Sequence, residues 1–161
     1  MIKILPIVKW PSSSLKLKSD EIGLSDIKSD EIQNLIDNMI ATMYHLDGVG
    51  IAAPQVGKNI RVVIITQNGK PISLINPKIT RKSLRKEILD EGCLSVPGFY
   101  GLVRRSIKVS IKAYSREGQE CQFAADELTS RIIQHEIDHL DGILFIDRAK
   151  KIHSIATPQK L

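Results

Sequence analysis

Apolar side chains recur every three or four positions along residues 32–43, which predicts an amphipathic helix near the N-terminus. The helix is predicted to begin after Ser29, whose hydroxyl can accept a hydrogen bond from an early backbone N–H. Asp30 and Glu31 follow in the first turn, where the helix dipole favours acidic side chains. Gly48 lies just beyond the last apolar position and is a natural stop. One stripe of this helix should therefore face the core.

A second helical pattern, over residues 127–140, is apolar on nearly every side. We expect Asp126 to cap its beginning and Gly142 to follow its end. The predicted faces are Leu128, Ile132, His135 and His139 on one side, and Ile133, Ile137 and Leu140 on another. A helix with apolar residues nearly all round is buried. This helix is therefore predicted to carry two histidines into the interior.

The segments between the two helices have the patterns of strands. Residues 61–66 are β-branched, and the Asn-Gly pair at 68–69 is a strong hairpin signal that leads into residues 72–75. A further pair is predicted at residues 103–114 and 119–124, where apolar and polar positions alternate as in a sheet with one solvated face. The predicted fold class is α+β, with antiparallel sheets packed around a buried central helix and one amphipathic helix near the N-terminus.

Length and composition narrow the class of protein further. A chain of 161 residues is long enough for one good core and too short to suggest two domains. The net charge of +5 is modest and does not by itself indicate a nucleic-acid partner. No apolar run approaches the roughly 18 residues of a membrane span, and the first ten residues lack a signal-peptide pattern. Cys93 and Cys121 are too few for a disulfide framework. Together, these observations lead us to expect a cytoplasmic protein without a membrane partner.

The most informative motif is the run His-Glu-Ile-Asp-His at residues 135–139. Helix residues four apart lie one turn above each other, so His135 and His139 can bind one metal ion while Glu136 acts on its bound water. A catalytic zinc-type site takes three protein ligands and keeps one position open, and Cys93 is an upstream candidate for the third. The alternative is two helix histidines with ordinary hydrogen bonds, but burying them is costly unless their nitrogens find partners.

Two further segments place small residues beside a polar group. Cys93 follows Glu91 and Gly92, which suit a turn or a strand end better than the middle of an apolar strand. A lone cysteine, however, is usually a small buried hydrophobe. Residues 48–55 end in Gln55, after small residues that allow another backbone to approach closely. On this segment alone, the favoured interpretation is a structural turn with Gln55 in solvent.

Together, three segments closely resemble the three signature motifs of peptide deformylases. They are residues 48–55, 91–95 and 135–139. Matching flanks at residues 76–77 and 142–145 extend the resemblance over residues 1–147. The resemblance implies a single catalytic domain over residues 1–147 and a short basic tail over residues 148–161. Enzymes of this family remove the N-formyl group from the initiator methionine of nascent polypeptides in bacteria and organelles, usually with Fe²⁺.

The resemblance implies roles for six residues of this sequence. The metal ligands would be Cys93, His135 and His139. Glu136 would be the general acid/base, and Gln55 would stabilise the oxyanion together with the backbone N–H of Leu94. Water bound to the metal would attack the formyl carbonyl, and formate would be released. One divalent ion is expected per chain: coordination chemistry alone favours Zn²⁺, the resemblance favours Fe²⁺, and Ni²⁺ or Co²⁺ could substitute.

The implied substrate is an N-formyl-methionyl nascent peptide in an extended conformation. Its backbone would pair like a strand with Val49, Gly50 and Gly92. The methionine pocket would use Val49, Leu89, Leu128, Ile132 and the ring of His135. Arg131 stands where the family more usually has an apolar pocket residue, and we interpret it as a side chain that runs from the pocket rim into water. If Arg131 instead reached the pocket mouth, acidic residues just after the methionine should be favoured.

Further expectations concern charged residues outside the motifs. Glu91 and Arg105 match a family ion pair that braces the cysteine segment, and the alternative is two surface charges worth about 0–1 kcal/mol. Asp138 could orient an imidazole or lie in solvent. A set of basic residues without aromatic neighbours predicts a solvated edge between strands. These residues are Lys78, Arg81, Lys82, Arg85 and Lys86.

Two other functions fit parts of the pattern. An endoprotease of the His-Glu-x-x-His type usually takes a third ligand downstream, where only His153 is available. A catalytically inactive relative could bind peptide termini, although Glu136 and Gln55 are intact. The tail contains Thr-Pro at 157–158 and is too short for the C-terminal helix that many bacterial relatives use at the ribosome, which leaves only a transient ribosome contact open. We expect a monomer without a specific nucleic-acid partner.

Overall fold

The computed structural model describes residues 1–155 and contains the predicted α+β fold. The first helix, α1, spans Asp30–His45. It begins as predicted, because the Ser29 hydroxyl accepts a hydrogen bond from the Ile32 N–H at 3.4 Å. Its apolar stripe is buried against the first of two sheets, with Ile36 fully inaccessible to solvent.

Two antiparallel sheets make up most of the rest of the fold. The strands are β1 (Gly50–Ala52), β2 (Val62–Gln67), β3 (Lys70–Lys82), β4 (Lys86–Cys93), β5 (Val96–Ser106), β6 (Lys108–Tyr114), β7 (Glu120–Asp126) and β8 (Ile152–Ser154). One sheet has the order β1-β2-β3-β6-β7, and the other has the order β4-β5-β8. The predicted hairpin between β2 and β3 is present, and its register pairs Gln67 with Lys70.

The prediction of one continuous strand over residues 103–114 is wrong. β5 ends at Ser106 in one sheet, and β6 begins at Lys108 in the other. Arg105 and Ser106 are both buried, so the inside-outside alternation breaks where the chain changes sheets. No glycine or proline marks this point, and the backbone of Ile107 instead donates a hydrogen bond to the Arg85 carbonyl.

The basic residues predicted to lie between strands belong largely to strands. β3 continues to Lys82 because the chain bulges between Ile75 and Lys78, which accommodates Pro77 within the strand. Lys86 then begins β4. These side chains therefore stand at the junction of the two sheets, where the chain crosses from one to the other.

The second helix, α2, spans Glu127–Leu140 and is buried between the sheets, as predicted. A short helix, α3, follows at Phe145–Arg148, and two 3₁₀ helices lie at Ser13–Lys16 and Ala53–Val56. Ten of the fourteen residues of α2 are buried, and the helix packs against β1, β2 and β7. Burial of an aliphatic side chain such as Ile133 contributes about 1.5–3 kcal/mol, which holds the motif helix firmly in place.

The start of α2 differs from the sequence expectation, whereas its end agrees with it. Asp126 occupies the N-cap position, but its side chain makes no capping hydrogen bond. The backbone N–H of Glu127 donates instead to the Ile107 carbonyl. At the other end, Gly142 follows the helix with φ +72°, in the left-handed conformation that glycine tolerates.

The C-terminal segment returns to the second sheet within the described residues. β8 pairs with β5, with Tyr100 opposite His153. The Thr-Pro pair at 157–158, on which part of the prediction for the tail depends, lies outside residues 1–155. Over those residues, none of the helices has both the length and the apolar character that crossing a membrane requires.

Candidate metal centre and active site

Three donor side chains from distant parts of the chain meet on the inner side of α2. Cys93 ends β4, whereas His135 and His139 lie one turn apart on the helix. One ligand atom from each residue lies within 4.8 Å of the other two, and Cys93 Sγ is 3.2 Å from His139 Nε2. The structure therefore brings together the three residues that the sequence singled out as metal ligands.

Two buried polar atoms beside this cluster have no hydrogen-bond partner among residues 1–155. They are Oε2 of Glu136 and Nδ1 of His139. Native proteins satisfy nearly all buried polar groups, so such atoms call for an explanation such as an ion, a water molecule or a ligand. Burial also raises the pKa of Glu136 to about 7, in the range that suits a group exchanging protons near neutral pH.

The electrostatics of the two imidazoles favour a cation at this position. Burial, with the nearby charge of His135, lowers the pKa of His139 well below its ordinary value and keeps it neutral. Burial works in the same direction on His135, but hydrogen bonds with Cys93 and Glu91 raise its pKa overall. The same partners would attract a metal cation in place of a proton. A thiol and two imidazoles are also the donor set that zinc and related transition metals prefer, so the residues present fit a metal ion.

Glu91 holds His135 in position from behind. Its carboxylate is buried and accepts hydrogen bonds from His135 Nδ1 at 2.9 Å and from Arg105 Nε and Nη2, both at 2.9 Å. Burial alone would raise the pKa of Glu91, but the bonds from His135 and Arg105 lower it overall, so the carboxylate stays ionised. Because Nδ1 is engaged, Nε2 is the nitrogen left to face the cluster. Glu91 and Arg105 form a buried pair, and the alternative of two surface charges is wrong.

Arg131 is a second cation on the same carboxylate, and the prediction that it runs along the rim into water is wrong. Its Nη1 donates to Glu91 Oε1 at 2.8 Å and to the Val103 carbonyl at 2.9 Å, and its Nη2 donates to the Glu87 carbonyl at 2.9 Å. The side chain is only 8% exposed. The cause lies in tertiary structure, since β4 and β5 pair across α2 and present these acceptors together.

Asp138 follows neither of its two predicted alternatives. It is buried, and its carboxylate binds the guanidinium groups of Arg105 and Arg148 rather than an imidazole or water. Arg105 therefore links two carboxylates, those of Asp138 and Glu91. The result is a continuous chain of charged hydrogen bonds that runs from Arg148 to the candidate ligand His135.

Gln55 is buried beside Cys93, so the interpretation of its own segment alone, a turn with Gln55 in solvent, is wrong. Its side-chain oxygen accepts the Ala52 N–H at 2.8 Å, which fixes the amide orientation. The amide nitrogen consequently points at Cys93 Sγ, 3.4 Å away, and at Ser95 Oγ, 3.3 Å away. Leu94, between these two residues, is half-buried and lines the adjoining cleft.

A cleft of about 850 Å³ opens onto this cluster. The predicted substrate-binding residues that line it are Val49, Gly50, Gly92, Leu128, Arg131 and Ile132. Leu89 is the exception, because it is 43% exposed and lies outside the cleft lining. Gly50 is essential to the arrangement, since an added Cβ would lie 2.5 Å from Glu136 Oε1.

Sequence reasoning missed several residues of the cleft wall. Tyr100 and Phe99 on β5 line it, together with Ile4 and Ile7 from the N-terminal segment. The ring of Tyr100 packs so closely on Gly92 that an added Cβ would lie 2.8 Å from it. That glycine was the available signal for a side chain crossing the β4 backbone, but the identity of the side chain depends on how β4 and β5 pair.

The fold and the site together define a class: an α+β enzyme with a candidate metal centre of one thiol and two imidazoles at the end of a cleft. A sequence model of the family described as polypeptide deformylase matches residues 4–154. The chain belongs to this family. The predicted enzyme class, a peptide deformylase, is thereby confirmed.

Individual relatives agree with the family assignment. The chain is 51% identical over 148 residues to a peptide deformylase of Desulfitobacterium hafniense, covering 92% of this chain and 96% of that protein. It is 48% identical over 151 residues to one of Thermodesulfovibrio yellowstonii, covering 90% and 88%.

Solved structures extend the similarity to the fold. A class I type b peptide deformylase from Acinetobacter baumannii with Met-Ala-Ser bound superposes with a TM-score of 0.88 at 36% identity, covering 92% of this chain and 99% of that chain. The peptide deformylase of Thermotoga maritima gives a TM-score of 0.87 at 32% identity, covering 92% and 99%.

Proposed function

We propose that this enzyme removes the N-formyl group from the N-terminal formyl-methionine of nascent polypeptides and releases formate. The observation that carries the proposal is the meeting of Cys93, His135 and His139 beside the buried carboxylate of Glu136 at the end of a cleft. A buried acid with a pKa near 7 next to a cation site is an arrangement suited to hydrolysis by activated water.

Cys93, His135 and His139 would hold one divalent cation per chain. When bound, such a cation polarises a carbonyl and makes water acidic enough to serve as a nucleophile at neutral pH. We propose Fe²⁺ as the native ion, as is usual in this family, with Zn²⁺, Ni²⁺ or Co²⁺ as substitutes. Glu91 favours Nε2 as the ligand atom of His135, because its hydrogen bond with Nδ1 leaves Nε2 free for the metal.

Glu136 is the general acid/base of the proposed reaction. Its carboxylate takes a proton from the attacking water and returns the proton to the departing amine. The pKa of about 7 allows both steps near neutral pH, since neither protonation state is strongly favoured. Gly50 lets the backbone of β1 pass close to this carboxylate, which keeps the acid next to the peptide-binding edge.

Gln55 and the backbone N–H of Leu94 stabilise the oxyanion that forms on the formyl carbon. The Gln55 amide is held by its hydrogen bond from Ala52, so its N–H groups are aimed before substrate arrives. Preorganised donors of this kind typically contribute about 2.7–4 kcal/mol each to catalysis. The short distance from Gln55 Nε2 to Cys93 Sγ, 3.4 Å, supports a position close to the reacting group.

The peptide binds in an extended conformation along the edge strand β1 and the end of β4. β1 is the edge of its sheet, so Gly50 can offer backbone groups to a further strand, as can Gly92 and the N–H of Val49, whose carbonyl already accepts from the Thr66 N–H. The methionine side chain packs against the apolar part of the cleft formed by Val49, Leu128, Ile132 and the ring of His135. We do not include Leu89 in this pocket, because it lies outside the cleft.

We further propose that the enzyme acts as a monomer in the cytoplasm, on chains as they leave the ribosome. Any ribosome contact would be transient.

A formate-release assay tests the proposal. Anaerobically purified, metal-loaded protein should release formate from formyl-Met-Ala-Ser, while mass spectrometry should detect no cleavage of Met-Ala-Ser. Cys93→Ala should abolish both metal retention and turnover, whereas Cys121→Ala, which changes the other thiol, should preserve both. Cleavage of internal peptide bonds would identify an endoprotease instead, and a metal-loaded protein without any turnover would identify an inactive relative.

A further inference from the structure

A second cleft lies on the opposite side of α2 from the candidate metal centre. Its volume is about 510 Å³, and α2 contributes Gln134, Ile137 and Asp138 to its wall. His135 and Glu136 face the first cleft instead. The basic residues lining this second cleft, here called the basic cleft, are Arg61, Lys78, Lys82, Lys86, Arg104, Arg105 and Arg148. Its acidic residues are Asp138 and Asp141.

Four of the seven basic side chains already have carboxylate partners. Arg61 pairs with Asp141, and Lys78 pairs with Glu21. Arg105 and Arg148 share Asp138. The other three, Lys82, Lys86 and Arg104, form no ion pair within residues 1–155. The basic cleft therefore carries uncompensated positive charge around one concavity.

Strand register brings two of these three cations onto the same face of the second sheet. Lys86 lies opposite Ser106, and Arg104 lies two residues from Ser106 on the same strand, opposite Ile88. Lys86 and Arg104 are therefore diagonal neighbours. Diagonal neighbours in an antiparallel sheet lie about 7–8 Å apart, and like charges so placed repel each other. Such repulsion is relieved when an anion binds between the cations.

The chemistry of the lining narrows the kind of anion. Lysine and arginine side chains bind phosphate groups well, arginine through paired hydrogen bonds and lysine as a point charge. None of the residues that line the basic cleft is aromatic, so no ring is available to stack on a nucleic-acid base. The three unpaired cations surround a hollow rather than follow a ridge, which favours a compact ligand over a long backbone.

We propose that the basic cleft binds a compact anion carrying several adjacent phosphate groups, held by Lys82, Lys86 and Arg104. A free oligophosphate and the backbone of an RNA duplex share this chemistry, and the proposal commits to the free oligophosphate. The site is separate from the cleft of the proposed deformylation, so the proposal stands whether or not that function is correct.

Isothermal titration calorimetry of the full-length, metal-loaded protein with tripolyphosphate tests the proposal. The triple variant Lys82→Gln, Lys86→Gln, Arg104→Gln should bind at least about tenfold more weakly than the unmodified chain, since three charge-assisted contacts are lost. The matched control is Lys18→Gln, Lys28→Gln, Lys70→Gln, which removes three exposed positive charges that do not line the basic cleft. Its affinity should stay within about twofold.

Several outcomes would overturn the proposal. Equal binding by all three proteins would mean that tripolyphosphate acts elsewhere, for example at the metal centre, whereas an equal loss in the control would mean that it acts through net charge alone. An RNA duplex at matched phosphate concentration should bind more weakly than tripolyphosphate, and binding of the duplex alone would exclude a compact ligand. If the triple variant unfolds in circular dichroism, the single Arg104→Gln variant should still weaken binding about threefold.

Discussion

Two groups of buried polar side chains meet on α2, and they differ in how completely they are satisfied. On the cleft side, Glu136 and His139 each keep one buried polar atom without a partner in the described chain. On the side of the second sheet, Glu91 accepts from two arginines and His135, while Asp138 accepts from two arginines. The first group leaves polar atoms available to an ion, a water molecule or a substrate. The second group is fixed by hydrogen bonds within the fold.

The difference follows from the cost of burying charge. An ionised group removed from water must recover several kcal/mol from its surroundings, and Glu91 does so through charged donors that are themselves part of the fold. Glu136 has no such donors, so burial raises its pKa to about 7. We therefore expect Glu91 and Asp138 to contribute mainly to stability and Glu136 to contribute mainly to reactivity. Substitutions on the two sides should separate these properties.

The largest effect is expected at Glu136. The change Glu136→Gln keeps the shape but removes the proton acceptor, and kcat/KM for formyl-Met-Ala-Ser should fall about 10²–10⁴-fold. The raised pKa means that the ionised carboxylate is the disfavoured form in the fold, so above pH 7 the metal-free variant should unfold no more easily than the parent. Formate release and urea unfolding measure the two effects. Retained turnover with one metal ion per chain would remove Glu136 from the mechanism.

The next largest effect is expected at Glu91. In Glu91→Gln, the buried guanidinium groups of Arg105 and Arg131 lose their shared negative charge, which should lower the free energy of unfolding by about 3–5 kcal/mol. Metal affinity should also fall about 10–100-fold, because the Glu91 carboxylate no longer orients His135. Glu87→Gln, an exposed change on the same strand, is the control and should shift stability by less than about 0.5 kcal/mol. Similar unfolding curves for both variants would contradict the account.

A smaller effect is expected at Arg131. Arg131→Met leaves the carbonyls of Glu87 and Val103 without this donor, which should cost about 1–3 kcal/mol of stability. Because the guanidinium is buried, the ratio of kcat/KM for peptides with acidic and basic second residues should not change. Arg85→Met provides an exposed control with the same change in charge. A shift in that ratio confined to Arg131→Met would mean that the side chain reaches the substrate.

The sequence predicts the side-chain arrangement on one side of α2 better than on the other. The meeting of Cys93 with His135 and His139 could be predicted, because helical spacing fixes the two histidines and the glycine before the cysteine suggests a strand end. The helix bounds were equally accessible, since caps and apolar periodicity are local signals.

The burial of Arg131 and Asp138 could not be predicted in the same way, and the place of Gln55 in the site was implied by the family resemblance rather than by its own segment. Arg131 and Asp138 are satisfied by groups outside their own helix, such as the carbonyl of Val103 for Arg131 and the guanidinium of Arg148 for Asp138. Those partners become neighbours only once β5 and α3 have packed beside α2. Pattern reasoning assigns a charged or amide side chain to solvent by default, and that default fails where two sheets close over a helix.

The smallest effect is expected at Asp147, which belongs to neither buried group. Asp147 accepts the Leu144 N–H at 2.8 Å and pairs with Lys16 at the start of α3. Burial alone would raise the pKa of Asp147, but these bonds lower it overall. A lowered pKa adds stability above the unfolded-state value, and that stability is lost as pH falls through the folded-state value. Both side chains are about two-fifths exposed, so water screens the pair and Asp147→Asn should cost only about 0.5 kcal/mol at pH 7. Urea unfolding of parent and variant should give stabilities that converge as the pH falls below about 4, and a difference that grew on acidification would contradict the sign of the effect.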